Sequence, residues 1–407
     1  MKNIKKFFAL IICVTMTLAV LAACNGGGDE IFVPVEKVGE APAYLEGNVL
    51  DRHLLLNGVP TKGGVLLGNT AANAVEKYSP DGDLLWSQQY PFFGEGNAVM
   101  IITPMENGEF LLAYDIATYQ KPNGQWVISD TVLAKCDSDG ALLWDYNFAG
   151  YTDGIVQHVF VNAEGNIITL GSGGKYLDPA SGSPESEKDD IFLALFAPQG
   201  TKLIDKKYGG MDFDTLWGNA AYIKGAGVAA LISTQSKGGS FDASKSGKPV
   251  HVLAMFDDYL ELKWHNVFEE FISIESPIFT EKAAYLLDSD NNLLKYNFSG
   301  EMLVVRGIAP VEQSGVRLAA NSRFGQFVQT KTQIFILDDF TETLRFDFDA
   351  GAALAVVDGE DGFVIISDNI IGEEPASPKS STIRYITEIV YSGYTDAGEL
   401  LWRIAEK

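Results

Sequence analysis

The chain is short of the residues that most often carry chemistry. Its 407 residues include 4 histidines and 3 cysteines. His53, His158, His251 and His265 show no ligand spacing, so no metal centre is expected. There is no Gly-x-Ser-x-Gly elbow and no phosphate-binding glycine loop, which removes two common enzyme signatures. Asp288-Ser-Asp290-Asn-Asn292 begins like a calcium loop, but Leu293 and Ser299 stand where such a loop needs Gly and Glu, so it reads as a hairpin turn. Positive charge is scarce as well: 30 Lys+Arg against 54 Asp+Glu give a formal net charge of −24. A nucleic-acid partner needs a basic face, which this composition does not supply, and anionic lipid is repelled for the same reason. No long helical periodicity appears, so helices are not expected. What is plentiful is glycine, 41 residues, and apolar content, 46%; the first suits a chain made of turns and the second is ample for a core.

The N-terminus reads as a processed segment. Lys2, Lys5 and Lys6 form a positive region, and Phe7 to Val20 is apolar but too short for a convincing membrane span. Leu21-Ala22-Ala23-Cys24 resembles the lipobox of bacterial lipoproteins. That resemblance implies cleavage before Cys24, a diacylglyceryl thioether on Cys24, and a place in the bacterial cell envelope on the extracytoplasmic side of a membrane. The expected domains are a signal peptide over 1–23, a lipidated Cys and flexible tether over 24–45, and one large domain over 46–407. Cys13 would leave with the signal and Cys24 would carry lipid. Only Cys136 would remain, so no intrachain disulfide is expected. Without Lys2, Lys5 and Lys6 the mature chain would hold 27 basic residues against 54 acidic, a net charge of −27. Its membrane link would then be the acyl group alone.

The large domain is organised by a repeated hairpin. In KCDSDGALLWDYNF (135–148), Asp139-Gly140 separates two strand-like runs, because Gly accepts the φ > 0 such a turn needs. Copies centre on Gly82, Gly140, Gly200, Leu260, Gly300, Thr341 and Gly398, at spacings of 58, 60, 60, 40, 41 and 57 residues. Four residues before each centre stand Tyr78, Cys136, Phe196, Phe256, Tyr296, Leu337 and Tyr394. Four residues after stand Trp86, Trp144, Ile204, Trp264, Val304, Arg345 and Trp402. Four of the six tryptophans share that second column, so they read as packing residues between units, and Cys136 reads as a small buried hydrophobe. Arg345 breaks the column, and the register there is open to a slip. Strand-type units at a period of 40–60 residues predict an all-β fold, a single β-propeller of seven four-stranded blades.

In each unit, strands A to D alternate in direction. The B–C connections and the D–A crossings therefore emerge at one end, and the A–B and C–D turns at the other. Units two, three, four and seven carry B–C insertions at Asp115–Asp130, Gly171–Asp190, Ser233–Val250 and Asp368–Ser381, read as long loops. Function tends to reside on such loops. Four aromatics at this end stand outside the repeat columns and are the ligand-binding candidates: Tyr119, Trp126, Tyr176 and Trp217. Each offers apolar area at low entropic cost to a sugar ring or a partner protein, or simply packs its own loop down.

The hairpin copies YSPDGDLLWSQQY, CDSDGALLWDYNF and YTDAGELLWRI resemble the blade repeat of quinoprotein-type (PQQ-like) β-propellers, and are similar to other secreted bacterial propeller repeats. The quinoprotein motif has Thr-Gly-Lys before its Trp run, whereas Asp83 follows Gly82 and Ala141 follows Gly140 here. Those enzymes also carry eight blades rather than seven, so no quinone or other cofactor is expected. Ser79-Pro80-Asp81-Gly82 lacks the spacing of a sialidase Asp-box. The expectation is a monomeric, lipid-anchored module that binds an extracellular protein or glycan, without nucleic acid. The alternative is a polysaccharide-active enzyme whose acids converge at the channel mouth from different blades.

Overall fold

The structure is a computed structural model. It describes residues 59–69, 74–79, 83–90, 100–120, 126–149, 156–174, 189–243, 248–269, 277–307, 317–321, 325–330, 333–338, 341–348, 352–358, 362–375 and 383–406. Among these the secondary structure is all β. Blade one is β1 (Val59–Thr61), β2 (Gly64–Asn69), β3 (Ala74–Tyr78) and β4 (Leu84–Gln89). Blade two is β5 (Met100–Pro104), β6 (Phe110–Gln120), β7 (Trp126–Cys136) and β8 (Leu142–Ala149). Blade three is β9 (His158–Val161), β10 (Ile167–Gly173), β11 (Asp190–Phe196) and β12 (Lys202–Tyr208). Blade four is β13 (Asp214–Ile223), β14 (Gly227–Thr234), β15 (Val250–Phe256) and β16 (Leu262–Phe268). Blade five is β17 (Ile278–Phe279), β18 (Ala284–Leu287), β19 (Asn292–Tyr296) and β20 (Met302–Gly307). Blade six is β21 (Arg317–Asn321), β22 (Gly325–Gln329), β23 (Gln333–Asp338) and β24 (Thr341–Asp347). Blade seven is β25 (Ala352–Asp358), β26 (Gly362–Pro375), β27 (Ile383–Thr395) and β28 (Leu400–Glu406). Each sheet keeps sequence order, with every neighbour antiparallel. Seven four-stranded antiparallel meanders make the fold a seven-bladed β-propeller. By contacts the chain divides into a unit holding blades one to five and a unit holding blades six and seven.

The repeat columns explain how neighbouring blades join. Within the first unit, Trp86 of blade one lies on Gly140 of blade two, Trp144 on Gly200 and Trp264 on Gly300. Each of these glycines has φ between +84° and +88°, so it both makes the turn and leaves the flat surface the indole covers. The Trp144 and Trp264 indole N–H groups donate to the carbonyls of Pro198 and Phe298, at 3.0 and 2.9 Å. The apolar clusters are shared accordingly: Leu66 of blade one packs with Phe110 and Val132 of blade two, and Leu133 of blade two with Phe192 and Phe196 of blade three. In the second unit, Phe327 and Ile336 of blade six pack with Phe363 and Tyr394 of blade seven. Cys136 is wholly buried in the first of these clusters, and its burial pushes the thiol up to about 11. A polar residue at the start of most C–D turns closes it: Asp137 Oδ1 accepts from the N–H groups of Asp139 and Ala141, and Asp257 and Asn297 repeat the pattern.

The alignment needs one correction. In blade six Leu344 pairs with Ile336 and Glu342 with Leu337, whereas blade one pairs Trp86 with Lys77 and Leu84 with Tyr78. The sixth turn is one residue shorter, so Leu344, not Arg345, occupies the tryptophan column. Leu344 and Phe346 border Gly398 of blade seven, while the Arg345 guanidinium lies 4.3 Å from the Phe335 ring centroid and is bonded to Glu342. All seven C–D pairings carry a bulge at the same place. The extra residue on the outer strand is leucine in five blades, Leu85, Leu143, Leu203, Leu303 and Leu401, each between 41% and 53% exposed. A bulge next to the open edge bends that strand and blunts edge-to-edge pairing.

Candidate functional site

The insertions resolve into two different constructions. In blade two the extra residues extend the hairpin itself: β6 and β7 pair out to Gln120 and Trp126. The flanking ladders stop at Tyr114 and Asp130. Asp115–Gln120 and Trp126–Ser129 therefore form a two-stranded ribbon beyond the four-stranded sheet. Blade seven does the same, with β26 and β27 paired out to Pro375 and Ile383. These two insertions are strands, not the long loops the sequence reading expected. Ile116, Val127, Ile128, Ile370 and Ile371 are β-branched, which suits a pleated ribbon. Tyr119 and Trp126 sit on this ribbon, opposite Val127 and Gln120 respectively. Trp217 lies in β13 at an irregularity between Leu216 and Ala220. Tyr176 and Cys24 lie outside the described residues, as does most of the blade-three insertion.

The insertion of blade four builds a compact site against blade three. The D–A crossing Gly209–Phe213 leads from β12 into β13, and the start of the B–C insertion, from Ser236, lies over it. Asp214, the first residue of β13, is 0% exposed. Its Oδ2 accepts from the Ser236 hydroxyl at 2.6 Å and from the Gly210 N–H at 2.8 Å. Ser236 Oγ also accepts from the Asp212 N–H at 3.0 Å, and the Ser236 N–H donates to Thr234 Oγ1 at 3.1 Å. Further along, the Ser240 N–H donates to the Gly209 carbonyl at 2.9 Å. A side chain cannot fit between the two segments: a Cβ on Gly239 would stand 2.2 Å from the Gly209 carbonyl oxygen, and one on Gly210 would stand 2.6 Å from Ser236 Cβ. The glycine doublets Gly209-Gly210 and Gly238-Gly239 are therefore what lets the crossing and the loop close on each other.

The crossing is held from below and shows apolar side chains above. Met211 is 83% exposed and Phe213 is 46% exposed. Asp190, at the end of the blade-three insertion, reaches the same knot. A Cβ on Gly209 would meet Asp190 Oδ1 at 2.0 Å and Asp214 Oδ2 at 2.8 Å, so the two carboxylates border one glycine. Among the described residues no group of three or more His, Cys, Asp or Glu is arranged to hold a metal. The residues that make this site, Asp190, Met211, Phe213, Asp214 and Ser236, were not sequence candidates. The signal that could have found them is the pair of glycine doublets flanking one strand pair, which the sequence reading did not use.

No protein-family model matches the sequence, and no curated protein matches it. Among solved structures the chain is similar to the Dos1 propeller, with 13% identity over 83% of this chain and 77% of that one, at a TM-score of 0.47. It is also similar to BamB from Moraxella catarrhalis, 10% identical over 86% of this chain and 96% of that one, at a TM-score of 0.36. A quinohemoprotein alcohol dehydrogenase from Pseudomonas putida is 10% identical over 86% and 60%, at a TM-score of 0.40. At these scores the propeller assignment rests on the seven sheets themselves.

Proposed function

We propose that the chain is a lipid-anchored, extracytoplasmic β-propeller that acts as a binding or scaffold module for a protein or glycan partner. The observation that carries this reading is the clamped crossing. Met211 and Phe213 are exposed on a segment whose backbone is fixed by Asp214, Ser236 and Ser240, so a partner would meet apolar area already ordered. The blade-two ribbon, in the same unit as this crossing, carries the candidates Tyr119 and Trp126. The lipobox-like Leu21-Ala22-Ala23-Cys24 supports the anchor and the envelope location.

The alternative, a polysaccharide-active enzyme, has the Asp190–Asp214 pair in its favour, since paired carboxylates serve glycoside hydrolysis. Against it, Asp214 is wholly buried beneath the crossing and spends one oxygen on holding it. Two experiments test the proposal. In a bacterial host fed an alkyne-tagged fatty acid, the chain becomes labelled and membrane-bound, and Cys24→Ser abolishes both; an unlabelled wild type contradicts the anchor. A glycan array and a pull-down then compare the whole chain with a variant whose four insertions are cut to short turns. Capture by the wild type alone supports binding at the insertions, and equal capture by both contradicts it.

A further inference from the structure

We propose that the joint between blades one and two has two seats for Trp86, and that Lys77 decides which one it takes. The tryptophan joints of the first unit are built alike but bonded differently. In two of them the indole N–H donates to the carbonyl just ahead of the facing glycine: Trp144 to Pro198, before Gly200, and Trp264 to Phe298, before Gly300. The matching carbonyl for Trp86 is that of Ser138, before Gly140. Lys77 Nζ donates to it instead, at 3.0 Å, and the Trp86 indole N–H is buried without a partner. The indole also sits differently. A Cβ on Gly140 would meet Cη2 and Cζ3 of Trp86, the outer rim of the ring, whereas one on Gly200 or Gly300 would meet Cγ, Cδ2 and Cε3 of its tryptophan.

The residue opposite each tryptophan explains the difference. Lys77 pairs with Trp86, Lys135 with Trp144 and Met255 with Trp264. Met255 brings no donor. Lys135 is held by Glu109 at 2.7 Å, so the Pro198 carbonyl is left to the indole. Blade one has Gly64 where blade two has Glu109, since Val65 pairs with Tyr78 as Phe110 pairs with Cys136. Lys77, only 7% exposed, therefore turns to the Ser138 carbonyl. A charged donor makes the stronger bond, and the indole N–H is left unsatisfied. When the long side chain of Lys77 swings out to water, Trp86 moves into the seat that Trp144 and Trp264 use. Blades one and two thus shift against each other without leaving that carbonyl unpaired.

The test uses the whole chain with ¹⁵N-labelled tryptophan, each indole signal being assigned by replacing one tryptophan at a time with phenylalanine. Lys77→Met gives blade one the pair that blade four has. The Trp86 N–H is then expected to move downfield and to exchange with deuterated water at least about tenfold more slowly. Glu109→Ala supplies the converse: it releases Lys135, and the Trp144 N–H is expected to exchange at least about tenfold faster. Cys136, buried in the blade-one and blade-two joint, reports its opening. Its alkylation, read by mass spectrometry of its own peptide, slows in Lys77→Met. A Trp86 signal unmoved by Lys77→Met overturns the proposal, as does a Trp144 signal unmoved by Glu109→Ala. Faster alkylation of Cys136 in Lys77→Met also overturns it, because that is what losing a merely structural lysine would give.

Discussion

At the residue scale, one exchange shows how the blades are matched. Three turns use glycine at φ > 0 and receive a tryptophan from the blade before. In the fourth blade the same place is Leu260, at φ 64°, and the third blade offers Ile204 instead of Trp. Leu260 is wholly buried, Ile204 packs against its cluster, and Tyr208 donates its hydroxyl to the Leu260 carbonyl at 2.6 Å. A larger turn residue thus accompanies a smaller facing residue. It follows that Gly200→Ala, whose Cβ would stand 2.6 Å from the Trp144 ring, lowers stability by about 2–3 kcal/mol. Pairing it with Trp144→Ile recovers part of that loss in a urea double-mutant cycle, whereas strictly additive losses would contradict the matching. His251 gives a pH prediction. Burial favours its neutral form and lowers its pKa below the usual 6.5. Its share of stability is therefore present above the unfolded value and is lost as pH falls through the folded one. Between pH 7 and 5, His251→Gln should lose less stability than the wild type in denaturant melts; equal losses would refute this. The tryptophan column was readable from the sequence because the packing is periodic. Asp214 was not, because its neighbours arrive from Ser236, 22 residues on, and from Asp190.

At the element scale, hairpin turns were legible and insertion structure was not. Asp139-Gly140 and the polar residue before it encode the C–D turn locally, so Asp137 and its counterparts do what the residue types suggest. The blade-two insertion instead becomes a ribbon by pairing with itself, and length alone does not separate a long hairpin from a loop. Its β-branched residues were the available signal. The single-residue deletion in the sixth turn was hidden for the opposite reason: Arg345 takes the expected position in the alignment, and only the ladder shows Leu344 in its place. The ribbon has a measurable consequence. Amides of Leu111–Tyr114 and Val132–Ala134 lie where four strands pair, and those of Ile116–Gln120 lie where only two do. Hydrogen exchange should be slowest in the first set and at least about tenfold faster in the ribbon. Uniform protection along β6 would mean that the ribbon has further partners.

At the scale of the whole molecule, seven sheets with shared cores within each unit make a scaffold whose variation is concentrated in the B–C insertions of individual blades. The formal net charge of −24 disfavours self-association. The central claim is that partners meet the end bearing the clamped crossing. The most direct measurement places a photo-crosslinking residue at Met211, and in a second variant at Tyr259, which is 63% exposed on the C–D turn of blade four. Both are irradiated in intact cells expressing the whole chain. A discrete adduct from position 211, absent from position 259, is the result this account predicts. Adducts from position 259 with none from position 211 would contradict it.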